Sequence, residues 1–333
     1  MVDKSFWKGK GAEMSAATVE AMFPVTKEAR ITTMDRPLII ESACPGWQVG
    51  GERFPAVPIS IEDQVREISE SVKAGAICVH IHPRDPDTGL SQINPALLKV
   101  VMDGVFDSVG DCVTLNHSWW PTPNDDIDYV RDTQELLEMG HGNKYIQGSV
   151  VLPVGWSYGQ SKTIFGDEGT AKGLEYLENN RIKPIYQLYD TYSHWHFKHL
   201  LDEGHSTWKP YVMNLHLGKH SSHAIHQDPE SYLNLIANVE MVKKTIPDSI
   251  IGIYPGGRNW LPILTLGILM GAELIRVGVE DCYWMWPHRD ELIKKNSDTV
   301  KIAIELANIF GRKVVTDPKE ARRILGMELT SKI

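Results

Sequence analysis

Two short stretches of this chain carry residue types that could act on a carbonyl substrate. His80-Ile81-His82 ends the apolar run AICVHIH at 76–82. Side chains two apart on a strand share a face, so both imidazoles point the same way, an arrangement that suits one metal ion. A hydrogen-bonded pair of buried histidines is the alternative, since two ligands alone do not make a site. A third ligand has to come from another strand end, and Arg276-Val277-Gly278-Val279-Glu280-Asp281 closes the run ELIRVGV at 273–279. Arg276 and Glu280 share parity along the strand, whereas Asp281 needs the chain to bend after Gly278. Two histidines and a glutamate with one open position are the ligand set of a catalytic zinc (Zn2+), which polarises carbonyl oxygens. An Arg276–Glu280 salt bridge plugging the strand ends is the competing reading.

Both stretches need a scaffold that gathers strand ends. From Pro37 onward short apolar runs alternate with longer amphipathic stretches, the signal of a parallel sheet covered by helices. The runs at 37–43, 76–82, 112–116, 145–151, 183–189, 211–217, 249–254 and 273–279 read as eight strands. Between them, Ser60 caps a helix that carries Ile61, Val65, Ile68 and Val72 at helical spacing until Gly75. Further helices are expected near Pro95–Val105, over Asp126–Met139, near His194–Leu201, after Asp228-Pro229 and over Leu261–Met270. The Gly-, Ser- and Trp-rich segment from Pro153 to Thr170 reads as a long functional loop. Eight strands close an α/β (β/α)8 TIM barrel, whose active sites lie at the C-terminal strand ends where both stretches fall. An open doubly wound sheet is the alternative, but no GxGxxG follows the first strand. We expect 1–36 to be an N-terminal arm, ending at Arg36-Pro37, and 37–333 the barrel.

Composition narrows the partners. With 42% hydrophobic and 23% charged residues among 333, the chain can bury a large core. A net charge of -9 without a long Lys/Arg run argues against nucleic acid or an anionic membrane as partner. Four scattered cysteines suggest neither disulfides nor a cysteine metal site. No apolar run is long enough to span a membrane and no signal peptide is evident, so a cytoplasmic location is expected.

The segments GAICVHIHPRDPDTGLSQ and LIRVGVED resemble two motifs of the β-keto acid cleavage enzymes, the 3-keto-5-aminohexanoate cleavage type, and the similarity runs from about Pro37 to Met327. The resemblance implies a (β/α)8 barrel assembled as a homotetramer, with His80, His82 and Glu280 as zinc ligands. It also implies that Arg276 and Asp281 are the pair that, through a water, removes a proton from the substrate. The implied reaction is a CoA-dependent Claisen and retro-Claisen exchange, in which a β-keto acid plus acetyl-CoA gives acetoacetate plus an acyl-CoA. A cation beside the developing enolate oxygen and a nearby base are what such proton removal requires.

Departures from the family pattern bear on the substrate. Two glutamates that hold an ammonium in the family's prototype correspond to Gln48 and Gln187, and an amide has no charge to offer a cation; a substrate without a primary amine is expected. Asn116 and Ser118 keep the pattern after the third strand, with Ser118 expected on the substrate carboxylate. Trp119 and Trp120 replace glycines there; with Trp47 they form an apolar wall, a cage for a quaternary ammonium, or ordinary core. His216–His226 is dense in histidine, and Lys219 within it could meet a CoA phosphate. His194, His196 and His199 are expected at the surface or an interface. Tyr254-Pro255-Gly256-Gly257-Arg258 has paired glycines that allow close approach to a ligand, as in a CoA channel. The rival function is a metal-dependent barrel hydrolase of the amidohydrolase kind, where HxH follows the first strand and later ligands are histidines. A metabolite-binding barrel with a structural metal would have no need of Asp281.

Overall fold

The structure, a computed structural model, describes residues 15–23, 29–46, 54–92, 94–116, 119–121, 124, 127–129, 144–153, 155–158, 161–164, 166–218 and 230–327. Met1–Thr32 and Thr33–Ile333 form two compact units. In the first, Ala16–Met22 is a helix capped by Ser15, whose hydroxyl accepts from the Thr18 N–H at 3.1 Å.

In the second unit eight parallel strands close into a barrel. They are β1 (Ile39–Ala43), β2 (Cys78–His80), β3 (Val113–Asn116), β4 (Gly148–Val151), β5 (Lys183–Leu188), β6 (Tyr211–Leu217), β7 (Ser249–Pro255) and β8 (Leu274–Val277). Each strand pairs with its neighbours in sequence, and β1 closes the ring by pairing with β8, Glu41 lying opposite Arg276. This is the expected (β/α)8 barrel. Six of the eight strands are shorter than the apolar runs that announced them, β6 and β7 being the exceptions: β2 stops at His80, and His82 lies beyond it.

Alternation along β1 shows how the layers divide. Ile39 joins a buried cluster with Cys78, Ile185, Tyr254 and Leu274, whereas its neighbour Ile40 belongs to the larger core beneath the helices. Those helices are α1 (Ile61–Lys73), α2 (Pro95–Val109), α3 (Asp167–Asn179), α4 (Thr191–Asp202), α5 (Glu230–Thr245), α6 (Trp260–Leu269), α7 (Asn296–Ile309) and α8 (Pro318–Leu325). α1 starts as expected, with the Ser60 hydroxyl accepting from the Asp63 N–H at 3.1 Å. It ends before Gly75, whose φ of +118° suits glycine and where a Cβ would lie 2.5 Å from Ile304 Cδ1 of α7. Leu325 of α8 and Met327 join the cluster of Ile39 and Leu274.

Two expectations need correcting. Part of Pro153–Thr170, read as a loop, is an antiparallel pair, Gly155–Tyr158 with Ser161–Ile164, and α3 begins at Asp167. Of the helix expected over Asp126–Met139, Ile127–Tyr129 is instead a strand paired with Trp119–Pro121; the rest lies outside the described residues, as do Asp228 and Pro229. Among the described residues no helix is long and apolar enough to cross a membrane. All four cysteines are free and buried.

Candidate functional site

Barrel closure carries the HxH stretch and the last strand to opposite sides of β1. Cys44 donates its N–H to the His80 carbonyl at 3.1 Å, and the Glu280 N–H reaches the Ala43 carbonyl at 3.3 Å. Past the end of β2, the chain stays extended because the Ile81 N–H is held by Asn116 Oδ1 at 2.9 Å and the His82 N–H by the Pro45 carbonyl at 2.9 Å. Both imidazoles therefore reach the same point, Nε2 to Nε2 2.9 Å, with rings at 72°. His80 Nδ1 donates to the Leu115 carbonyl, which fixes the tautomer and leaves the Nε2 lone pair facing the site.

Glu280 arrives from the other side. Gly278, at φ +137°, makes the bend, and a Cβ there would lie 2.4 Å from the Ala43 carbonyl oxygen. The Glu280 carboxylate sits 3.3 Å from His80 Nε2 and 3.8 Å from His82 Nε2. Tetrahedral zinc with ligands at about 2.0–2.1 Å spaces any two of them about 3.3 Å apart. The separations of 2.9, 3.3 and 3.8 Å bracket that spacing, so the three buried side chains fit one metal ion. Their approach requires Gly46, where a Cβ would fall 2.0 Å from Glu280 Cγ. Arg84, also buried, ties this corner together: its guanidinium donates to the Gly46 carbonyl and, at 2.9 Å, to that of Gly89.

Beside the trio lies a buried ion pair. Arg276 grips Asp281 through Nε at 2.7 Å and Nη2 at 2.8 Å, and Nη2 also lies 3.2 Å from Glu280 Oε1. Burial works against the guanidinium charge, but the carboxylates around it, Asp281 first and then Glu280, outweigh it and hold Arg276 charged. The Arg276–Glu280 contact foreseen as an alternative plug is present, beside the cluster of His80, His82 and Glu280.

Two further residues complete the inner wall: Glu41, which sequence reasoning missed, and Tyr254, which it expected only at the start of a ligand-approaching turn. Glu41 of β1 is wholly buried, and burial pushes its carboxyl up to about 8 against the opposing pull of Arg276 and Tyr254. Tyr254 of β7 donates its hydroxyl to Glu41 Oε2, and its ring lies 4.5 Å from the Arg276 guanidinium carbon. The signal was there for Glu41, a lone acid within the apolar run PLIIESA. Arg84 also stood in view, inside the HIHPR stretch.

The remaining expected residues are distributed unevenly. Gln187 of β5 is buried, and its Oε1 accepts from His216 Nε2 of β6. Asn116 spends its carboxamide on Ile81 and, at 3.5 Å, on the Tyr145 carbonyl. Trp47, Gln48, Ser118, Lys219 and the stretch from Lys219 to His226 lie outside the described residues, and only the backbone of Trp119 and Trp120 is described. His194 and His196 correct the surface expectation: both are buried, because α4 turns them toward Thr245, 2.8 Å from His194 Nε2, and Asp167, 3.1 Å from His196 Nε2. His199 is half exposed. The paired glycines after β7 approach protein backbone: the Gly257 N–H donates to the Asp281 carbonyl at 2.9 Å.

With this geometry in hand, comparison with known proteins is decisive. Residues 37–327 match the family described as beta-keto acid cleavage enzyme. The chain belongs to this family. The β-keto acid cleavage fold accounts for nearly the whole barrel, and the enzyme is similar over 293 residues, at 25% identity, to 3-keto-5-aminohexanoate cleavage enzyme of Acetoanaerobium sticklandii, covering 87% of this chain and 98% of that one. A 3-dehydrocarnitine:acetyl-CoA trimethylamine transferase of Rhizobium meliloti is 22% identical over 88% of this chain and 97% of its own. A solved ternary complex of ObcA with a C4-CoA adduct and oxalate shares the fold, with a TM-score of 0.63 at 16% identity over 82% of this chain and 68% of that one.

Proposed function

We propose that this β-keto acid cleavage enzyme is a zinc-dependent, CoA-dependent C-acyltransferase that converts a β-keto acid and acetyl-CoA into acetoacetate and a new acyl-CoA. The observation that carries the reading is the doubly hydrogen-bonded Arg276–Asp281 pair sharing Arg276 Nη2 with Glu280 of the metal trio. His80, His82 and Glu280 would hold zinc, which when bound supplies positive charge beside a carbonyl oxygen on which negative charge develops. Asp281, held by two hydrogen bonds from Arg276, takes a proton through a water from the carbon between ketone and carboxylate. That carbon bonds to the thioester carbonyl of acetyl-CoA as the CoA thiolate leaves. The thiolate then bonds to the substrate ketone carbon and the original carbon–carbon bond breaks. Acetoacetate departs after recovering the proton from the Asp281 side, and the acyl group leaves on CoA.

Ser118, Asn116, Gln48 and Gln187 are the proposed substrate contacts, and the two amides argue for a variable end that is not a primary amine. Relatives named as acetyl-CoA transferases of other β-keto acids, one of them a 3,5-dioxohexanoate:acetyl-CoA acetone transferase of Paraburkholderia graminis, support the co-substrate. Residues 37–333 would be the catalytic barrel and 1–36 an arm, in a cytoplasmic homotetramer. The test is incubation of a panel of β-keto acids with and without acetyl-CoA, reading acetoacetate. Consumption only with acetyl-CoA is expected; turnover without it would turn the assignment toward a hydrolase.

A further inference from the structure

Among the described residues, one wholly buried acid is left over once the proposed metal trio and the Arg276–Asp281 pair are assigned. Glu41 sits on β1 directly across the ladder from Arg276 and is wholly buried. Its Oε2 accepts the Tyr254 hydroxyl. Its Oε1 has no hydrogen-bond partner among the described residues and stops 3.9 Å from Arg276 Nη1. Tyr254 in turn lies 4.5 Å, ring centre to guanidinium carbon, from Arg276, and its ring packs edge-on with that of His216, centroids 5.1 Å apart.

Arg276 is one cation among three carboxylates, and only one arrangement suits the chemistry. Turned toward Asp281, it holds that carboxylate in place through two hydrogen bonds. Turned further toward Glu280, 3.2 Å away, it would draw a ligand from the two histidines. Rotation about the long Arg276 side chain exchanges these states at little intrinsic cost, so something has to fix the plane of the guanidinium. An aromatic ring stacked on a guanidinium does this by restricting it to directions parallel to the ring. A ring can do so only if it is itself fixed, and a buried phenol is fixed by its hydroxyl partner.

We propose that Glu41 is a positioning residue: through the hydroxyl of Tyr254 it locks the ring that keeps the Arg276 guanidinium turned to Asp281 rather than to Glu280. The elevated carboxyl of Glu41 fits this role, because a protonated acid accepts the phenol hydrogen bond without competing with Asp281 for the cation. The 3.9 Å separation from Nη1 is well beyond the 2.7 and 2.8 Å bonds that Arg276 makes to Asp281. The role assigned to Arg276 and Asp281 rests on the proposed function, and the test separates the two.

Glu41→Gln, Glu41→Ala, Tyr254→Phe and the double variant Glu41→Ala/Tyr254→Phe are compared with the full-length, metal-loaded enzyme. Glutamine still accepts from the phenol, so Glu41→Gln should stay within about 3-fold of the parent kcat. Glu41→Ala and Tyr254→Phe should each lose about 10-fold or more in kcat, with the KM for acetyl-CoA within about 2-fold and metal content unchanged, the pattern of a lost transition-state alignment. The double variant should lose no more than the worse single one, because both remove one device. Crystal structures of Glu41→Ala and Tyr254→Phe should show the guanidinium displaced from its two bonds to Asp281. Parent kcat in Glu41→Ala or Tyr254→Phe, losses that multiply in the double variant, or an Arg276–Asp281 pair unchanged in those crystals would each overturn the proposal. If Glu41→Ala does not fold, Tyr254→Phe and Glu41→Gln decide it by the same measures. If the parent enzyme turns over no β-keto acid with acetyl-CoA, the functional reading falls, and the crystal structures still decide whether Glu41 positions Arg276.

Discussion

Replacing Gly46 by alanine tests the metal centre without touching a ligand. The added Cβ would lie 2.0 Å from Glu280 Cγ and 2.5 Å from both Cβ and Cδ of the same side chain. Ordinary carbon contacts begin at about 3.5 Å, so Glu280 has to retreat by roughly 1.5 Å. Metal coordination tolerates displacements of only about 0.2 Å, so the glutamate would leave the trio. Outer-shell changes already cost about 10–100-fold in metal affinity, and losing a ligand should reach the upper end, about 100-fold or about 2.8 kcal/mol. Zinc affinity is measured by competition with a chelating dye, alongside thermal melting with and without EDTA. In EDTA the variant should melt within about 2 °C of the parent, because the clash acts on a side chain that can move when it holds nothing. Gly110→Ala is the control: at φ +82° with no atom within 4 Å of the new Cβ, it should lose about 1 kcal/mol of stability and keep the metal. Parent-like zinc affinity in Gly46→Ala would refute the placement of Glu280 as a ligand.

Other outcomes follow from the same geometry. His80→Ala should abolish zinc binding, measured as metal per subunit after dialysis, because one of three protein ligands and its Leu115 anchor go together. Asp281→Asn should retain zinc yet lose about 100-fold or more in kcat, since the amide cannot take the proton; retained turnover removes Asp281 from the mechanism. Gln187→Glu should improve kcat/KM for amine-bearing β-keto acids relative to neutral ones, and an unchanged ratio would show that the variable end lies elsewhere. Lys183, at the start of β5, is buried and its amine is depressed to about 7 by that burial, with Glu178 opposing. The unfolded lysine holds its proton to about 10.4, so between roughly pH 7 and 10 the unfolded state binds more protons and the Lys183 contribution to stability rises with pH. Denaturant titrations of the parent and Lys183→Met should show the difference, parent minus variant, increasing from pH 7 to 9; a flat difference would mean that the amine titrates normally.

The sequence could show what stood at strand ends, because side-chain alternation has a fixed period and barrel chemistry gathers at one rim. His80, His82, Arg276, Glu280 and Asp281 were all readable on that basis, and the bend at Gly278 could be foreseen from the glycine. The wall beneath them was not. Glu41, Tyr254, His216 and Gln187 lie on four strands, and their contacts depend on stagger between strands that no single stretch records. Parity could say that Asn116 faces neighbouring chain, but not that its amide is used by Ile81. Histidines at helical spacing on α4 read as surface or interface residues; His194 and His196 are buried because Thr245 and Asp167 on neighbouring helices supply their polar partners. The hairpin at Gly155–Tyr158 and Ser161–Ile164 was hidden by a composition that suits loops and turns equally.

The strand that organises the site contributes none of the proposed metal ligands. β1 lies between β2 and β8, and it is the element through which residues two hundred positions apart meet. Its end accepts the Glu280 N–H at Ala43, and Cys44 and Pro45 bond to the backbone of His80 and His82. Gly46 leaves room for the Glu280 side chain, and Glu41 stands beneath Arg276. A metal trio drawn from two strands that are not neighbours needs such a spacer, because hydrogen-bonded strands alone fix each ligand only to the strand beside it. The order of the ligands along the chain, two early and one at the barrel's closing strand, then has a physical consequence: the site forms only when β1 has paired on both edges. Metal affinity should therefore report on barrel closure, and substitutions that loosen the β1 pairing with β8 should weaken zinc binding before they unfold the remaining strands.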